Sequence, residues 1–550
     1  MKRKELIYQL LIVLIGGLLF IPLNGRLNLF DWDELNFAES AREMILTNDY
    51  LNVKIYFTSF WEKPPLYIWL QVVSMKLFGI NEFAARFPNA ICGIITLLIL
   101  FQLGKKLYDS RFGLIWVMTY LGSLLSFLYF KSGIIDPWFN LFIFLGIYFW
   151  VFASHSKKIN KEIFLVFLSA AFIGLGILTK GPVAFLVFAI IVGILFILNG
   201  FRLNINWKSS IVFVVALILI GGLWFILQIL SGNTDVIVDF IVYQIRLFKT
   251  EDAGHGGFPM YHIVILLFGM FPASVFAIQG HKYKGKRDNR KIIHITMIAL
   301  LWTVILLFSI VKTKIVHYSS LAYFPLTYLA AYSIFMIISG KFRFRLWQKI
   351  MLLTIGGIEA MVIIVLPMFN SIKKIIIDKG IISDQFAVGN LQVDPGWTAL
   401  HSFIGILFLF GLLISICFIK KKKFLKYSLL YLSSLLFVFL GLVFVTPGIE
   451  KISQRTAIDF IKETSKKDVY IHSFNKTYAI LFYSKVRVPE NDRVFSQEWL
   501  TTGDIDKDAY FILRIHDKDK ILSMYTELSV IEEKNGYVFC KRNSKLNPDD

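Results

Sequence analysis

The chain has 550 residues, of which 56% are hydrophobic and only 17% charged, with 53 phenylalanines and a formal net charge of +20. A water-soluble globule carries about 25% charged residues, so this composition excludes a soluble fold, a disordered tail, a collagen and a disulfide scaffold. It is the composition of a polytopic membrane protein, solvated largely by lipid. The three cysteines, Cys92, Cys417 and Cys540, form no CxxC pair and no metal-ligand spacing.

In chain order, thirteen apolar runs approach spanning length: 7–23, 88–104, 112–130, 137–153, 163–178, 183–198, 211–230, 261–279, 292–311, 318–339, 350–368, 400–419 and 427–445. The first begins with Lys2, Arg3 and Lys4 but is followed by Ile21-Pro22-Leu23-Asn24 rather than a small-residue cleavage site, so it reads as an uncleaved first span. Segment 66–78 is apolar but short and carries Gln71, Ser74 and Lys76, which predicts a helix on the membrane surface. Leu35, Ala38, Ala41 and Ile45 predict a second amphipathic helix before it, and Pro64-Pro65 opens the helix at 66.

Charge orients the spans. With the N-terminus in the cytoplasm, the cytoplasmic segments hold 26 basic residues against four acids, a balance of +22 that leaves −2 for the rest of the chain. The whole basic excess is thus a positive-inside signal, and nucleic acid drops out as a partner. Had segment 66–78 crossed, every later basic loop would fall outside.

The expected fold is therefore an all-α membrane protein of about thirteen transmembrane helices, residues 1–446, with surface helices in a first outer loop at 24–87. Beyond it the composition becomes ordinary. Val469-Tyr470-Ile471-His472, a run over 478–483, Tyr510-Phe511-Ile512-Leu513 and Tyr537-Val538-Phe539-Cys540 read as strands, and 453–464 as a helix, predicting a small outer α/β domain over 447–550.

Ionisable residues beside lipid are costly, so those at span ends are the first candidates for chemistry. On the outer side they are Asp31, Asp33, Glu34, Glu62, Lys63, Arg86, Lys131, Asp136, Lys180, Lys312 and Lys314. Lysines there suit a lipid phosphate, each a point charge with three donors, and carboxylates beside them suit general-base or hydroxyl-orienting work. Asp31, three residues before Glu34, has the spacing of a capping box.

Several of these residues sit in motifs. Asp33-Glu34 with Ala38-Glu39, then Glu62-Lys63-Pro64-Pro65-Leu66, then Asn81-Glu82-Phe83-Ala84-Ala85-Arg86-Phe87-Pro88 resemble the first outer loop of glycosyltransferases that use polyprenyl-phosphate sugars. That GT-C family includes the aminoarabinose transferase of lipid A and the protein O-mannosyltransferases. Ile135-Asp136-Pro137-Trp138-Phe139, Leu178-Thr179-Lys180-Gly181-Pro182, Gly254-His255-Gly256-Gly257 and Lys312-Thr313-Lys314-Ile315-Val316-His317-Tyr318 continue the resemblance in order. His317-Tyr318 departs from the Pro-Thr-Tyr more usual there.

The resemblance implies a bacterial inner-membrane enzyme with its C-terminal domain in the periplasm. It would move a sugar from undecaprenyl phosphate, with inversion, to lipid A, another envelope glycolipid or a protein. Asp33 and Lys63 match catalytic positions; Asp136, Lys180 and Tyr318 match donor-binding ones, and Arg86 joins them as a phosphate ligand. Glu62 and His255 would hold a divalent metal (zinc, magnesium or manganese), although two ligands fall short of the three or four such a site needs. No nucleotide cofactor is implied. Rival readings are a transporter or flippase for lipid-linked sugars, which predicts charges at mid-span and broken helices in matched halves, and an O-antigen-type polymerase or ligase, which predicts a longer late outer loop than 370–398.

Overall fold

The computed structural model describes residues 2–249, 256–285, 288–418, 422–489 and 491–544. Among the described residues all thirteen apolar runs are predominantly helical. Among the described residues eight helices are long and apolar enough to cross a bilayer, or ten if two bent pairs each count as one span. The bent pairs are Trp207–Gly221 with Leu223–Leu230, at 56°, and Tyr261–Gly269 with Ala273–Gly280, at 113°. The other three runs fall outside that length and composition for physical reasons. Lys2–Phe20 opens with four charged residues, Ser110–Leu121 and Leu124–Tyr129 are separated at Gly122-Ser123, and Val183–Leu198 has 16 residues. Sixteen residues rise about 24 Å, against a hydrocarbon core of about 30 Å.

Small residues let the helices approach closely, since lipid supplies no hydrophobic drive between them. A Cβ on Gly104 would stand 2.7 Å from the Gly113 Cα, and one on Gly174 would stand 2.8 Å from the Gly221 nitrogen. Asp136–Ala153 and Ile159–Lys180 are joined by a five-residue turn, so they run antiparallel and bring Asp136 and Lys180, at their far ends, together.

The first loop contains helix Asp33–Thr47, the two-residue strands β1 (Lys54–Ile55) and β2 (Thr58–Ser59), and helix Leu66–Phe78. Asp33–Thr47 is not the half-wet surface helix its pattern predicts: every residue from Glu34 to Met44 is buried. The C-terminal domain packs on it: Ile458, Ile461 and the 479–483 run share an apolar cluster with Leu35, Ala38 and Ala41, and the Arg42 guanidinium donates to the Val486 carbonyl at 2.7 Å.

That domain carries four strands, β3 (Tyr470–Ser473), β4 (Ala509–Arg514), β5 (Ser529–Lys534) and β6 (Tyr537–Arg542), in the order β3-β4-β6-β5. β3 is parallel to β4, and the other pairs are antiparallel. The expected strand at 478–483 is instead the buried helix Ala479–Ser484; a run apolar at every position carries no period to separate the two. β5 lacked a signal because it is a polar, fully exposed edge. The expected helix is Arg455–Thr464, preceded by Thr446–Ser453.

An ion pair fixes the first loop. Arg86 meets Glu34 through Nε and Nη2, at 2.8 and 2.6 Å. Its remaining N–H groups donate to the carbonyls of Asn24 and Leu27, both at 2.8 Å, and Asn28, at 2.9 Å. Glu34 also accepts the Phe30 and Gly133 N–H groups, at 2.9 and 2.6 Å. The anticipated capping box is absent, since Glu34 is committed here and Asp31 turns to Thr477 and Tyr478. Removing one member of a buried pair strands the other charge. Arg86→Ala is expected to destabilise the protein by about 3–5 kcal/mol, read as a lowered unfolding midpoint in detergent; an unchanged midpoint would show the pair to be dispensable.

Glu43, fully buried beside the Glu39–Arg42 pair, accepts the Phe57 N–H at 2.8 Å. Burial, with the Glu39 charge, pushes its carboxyl up to about 8. The folded protein therefore holds a proton that the unfolded chain releases near 4.5. Its stabilisation is complete below pH 4.5 and drains as pH rises through 8. The unfolding midpoint should fall between these limits, and Glu43→Gln should flatten the slope.

Candidate functional site

Three structural units supply five of the predicted site residues; Arg86 comes from helix Glu82–Leu107 and Tyr318 from the 3-10 helix Val316–Ala322. Asp33 stands at the first position of its buried helix, held there because Glu34, the next residue, is locked to Arg86. Glu62 and Lys63 lie in the turn before Pro65, which caps helix Leu66–Phe78. Asp136 and Lys180 close the adjacent ends of the antiparallel pair, an acid at a helix N-terminus and a cation at a C-terminus, as the helix dipoles favour.

These units face one cavity of about 870 Å³, lined by Asp33, Glu62, Lys63, Arg86, Asp136, Lys180 and Tyr318 among others. The seven predicted site residues that the structure describes thus share one chamber; His255 lies outside the described residues. Within it, Lys180 Nζ is 2.7 Å from Asp136 Oδ1 and sits 5.6 and 5.2 Å from the ring centres of Phe139 and Tyr318. The Tyr243 hydroxyl donates to Glu62 Oε2 at 3.0 Å. Lys63 and Arg246 lie over the Tyr243 ring, each at 5.1 Å. His317 Nε2 is 3.4 Å from Asp33 Oδ2.

Environment separates the charges. Burial lowers the Lys63 ammonium, with the Glu62 carboxylate opposing that shift. Burial works to raise the Glu34 carboxyl, but Arg86 outweighs it and holds the group below its ordinary range. Burial raises Asp31 against its bonds from Thr477 and Tyr478.

Arg86 corrects the sequence expectation. It borders the cavity, but all five of its N–H donors are committed to Glu34 and to backbone carbonyls, so none remains for a phosphate. Lys131 also borders the cavity, with its ammonium on the Phe20 and Pro22 carbonyls. Lys314 caps helix Asn289–Ile310 through the carbonyls of Phe308, Ser309 and Val311 and is no cavity residue. Lys312 is exposed outside the cavity.

The structure also places residues there that motif reading left without a role: Tyr243, Arg246, His317 and Lys476. Tyr243 and Arg246 lie three apart on helix Thr234–Lys249, a spacing that puts them on one face. Lys476 comes from the C-terminal domain and sits 4.4 Å over Trp32; no sequence pattern pointed to it. Among the described residues no group of three His, Cys, Asp or Glu side chains is placed to hold an ion.

Residues 62–225 match the family described as dolichyl-phosphate-mannose-protein mannosyltransferase. The chain is 30% identical over 359 residues to the undecaprenyl phosphate-alpha-4-amino-4-deoxy-L-arabinose arabinosyl transferase of Edwardsiella ictaluri, covering 63% of each chain. It is 27% identical over 316 residues to that of Photorhabdus laumondii, covering 56% of each. The match thus spans 56–63% of the length of these relatives. Among solved structures, ArnT from Cupriavidus metallidurans bound to undecaprenyl phosphate superposes with a TM-score of 0.79 over 99% of both chains, at 15% identity. The same protein without ligand gives 0.75 over 97% of both. The chain is therefore a multi-pass membrane protein with the fold of the solved ArnT along its length, similar in sequence to aminoarabinose transferases over 56–63% of it and to the mannosyltransferase family in residues 62–225.

Proposed function

We propose that the cavity transfers a glycosyl group from a polyprenyl-phosphate sugar to an acceptor at the outer face of a bacterial inner membrane, with the N-terminus in the cytoplasm. The observation that carries this reading is the convergence of Asp33, Lys63 and the Asp136–Lys180 pair in one chamber built from span ends. The names of the sequence relatives favour undecaprenyl phosphate as carrier and 4-amino-4-deoxy-L-arabinose as sugar. The acceptor is lipid A, or another envelope glycolipid or protein. Asp33, Lys63, Asp136, Lys180 and Tyr318 carry the reaction.

In the reaction the bond between the anomeric carbon and the phosphate oxygen breaks, and its electron pair stays on the phosphate. Negative charge grows there in the transition state, where fixed cations act most strongly. Lys63 and Lys180 supply two such cations, compact charges with three donors each. Tyr318 and Phe139 box the Lys180 side chain. Asp33 takes the proton of an acceptor hydroxyl; before an acceptor phosphate, already anionic, it positions instead. A single displacement of this kind inverts the anomeric centre.

Asp33→Asn should reduce turnover by about 100-fold or more while leaving the protein inserted. The assay is transfer of radiolabelled sugar from undecaprenyl phosphate to lipid A in proteoliposomes, and undiminished transfer would refute the role. Flipping of the donor without transfer would replace this reading with that of a transporter.

Lys180→Met should lower kcat/KM about 100-fold, and Arg86→Lys should leave donor KM within about twofold of wild type. A clearly raised donor KM in Arg86→Lys would return Arg86 to the phosphate site.

A further inference from the structure

Asp33 and Glu34 are neighbours in sequence, yet the structure gives them opposite kinds of partner. Glu34 is gripped by a guanidinium and two backbone N–H groups, all of which favour its charged form. Such a carboxylate is a poor base. Asp33 faces the cavity with its side chain 36% exposed, and its near partner is the imidazole of His317, 3.4 Å away. Hydrogen bonds at active sites are commonly long before substrate binds.

His317 is well placed to hold that carboxylate. It lies on the 3-10 helix Val316–Ala322. Its carbonyl accepts the Ser320 hydroxyl, and Ser320 Oγ accepts Asn140 Nδ2 at 2.7 Å. The turn is thereby tied to helix Asp136–Ala153. The ring stands edge-on to Tyr318, 5.4 Å between centres. The charged groups facing it are Asp33 and Asp136, and Lys180 and Lys63. A neutral imidazole donating one N–H orients a carboxylate without a full positive charge that would weaken it as a base.

On the reading that this cavity transfers a glycosyl group, we infer that His317 is a positioning residue that acts through Asp33, its Nε2–H donating to Oδ2 and leaving Oδ1 turned toward the acceptor. In the step, the acceptor oxygen bonds the anomeric carbon; an acceptor hydroxyl gives its proton to Oδ1, whereas an acceptor phosphate, already anionic, gives none and is only oriented there. The carbon–oxygen bond to the phosphate breaks, and the electron pair leaves with the polyprenyl phosphate. His317 neither touches the sugar nor changes its charge.

The test uses the full chain in proteoliposomes with undecaprenyl phosphate-4-amino-4-deoxy-L-arabinose and lipid A. His317→Met keeps bulk and removes the donor, whereas His317→Gln keeps an N–H. We expect His317→Met to lower kcat about 100-fold, the cost of a misplaced reacting group, with donor KM within about twofold of wild type. His317→Gln should recover to within about tenfold of wild type. Asp33→Asn with His317→Met should be no slower than Asp33→Asn alone, because residues that act as one unit are not additive. A His317→Met enzyme with wild-type kcat, a loss confined to donor KM, or multiplying losses in the double variant would overturn the inference and leave the transferase reading standing. An inactive wild type would overturn both.

Discussion

The buried pair of Glu34 and Arg86 is the constraint on which the site depends. It joins three stretches far apart in sequence: the segment after the first span, through the carbonyls of Asn24, Leu27 and Asn28; the start of helix Glu82–Leu107, through Arg86; and the turn before Asp136, through the Gly133 N–H. Fixing Glu34 fixes Asp33, and fixing Gly133 fixes the entry to Asp136. Removing two charges from water is expensive, and hydrophobic substitutes often stabilise a fold equally well. Here, apolar residues would not specify the register between Asp33 and Asp136. The pair sets geometry more than it adds stability.

The C-terminal domain belongs to the same frame. The Asn28 amide donates to Glu450 at 2.5 Å, the Leu29 N–H to the Tyr483 hydroxyl at 2.6 Å, and Gln454 to the Leu29 carbonyl at 3.0 Å. Lys462 donates to the Asn28 side chain at 2.7 Å. These bonds hold the segment leading into Asp31, Trp32 and Asp33 from above while Arg86 holds it from below. A domain whose sequence carries no recognisable motif thus sets the position of the acid, and through Lys476 it reaches the cavity itself.

Much of this was legible beforehand because the physics is local. Apolar runs mark helices, basic loops mark one side of the membrane, and charges at span ends gather where water begins. The motifs put Asp33, Lys63, Asp136 and Lys180 on a common list, and the fold puts them in a common cavity. What failed depended on pairing. Arg86, Lys131, Lys314 and Lys180 look alike as cations near one membrane face. Only tertiary contacts show that Arg86 closes on Glu34, that Lys131 and Lys314 cap backbone carbonyls, and that Lys180 enters the cavity. Where the runs break is likewise invisible in their composition. Gly122-Ser123, Gly222 and the segment around Pro272 interrupt runs whose apolar content continues unbroken.

The state of Lys180 bears on how such a cavity handles a phosphate. A free lysine side chain carries about 2 kcal/mol of rotamer entropy, and ordering it during the reaction subtracts from whatever the charge contributes. Lys180 is already ordered, tethered to Asp136 and flanked by Phe139 and Tyr318. Asp136 also tempers its pull on a resting phosphodiester, which bears a single negative charge. As the sugar departs, the phosphate's charge grows, and the balance of attraction on Lys180 moves from Asp136 toward the leaving group. Interaction that strengthens between ground and transition states accelerates the step, whereas uniform binding does not. A lysine held by a carboxylate is therefore better suited to the departure of the lipid phosphate than a lysine left unpaired.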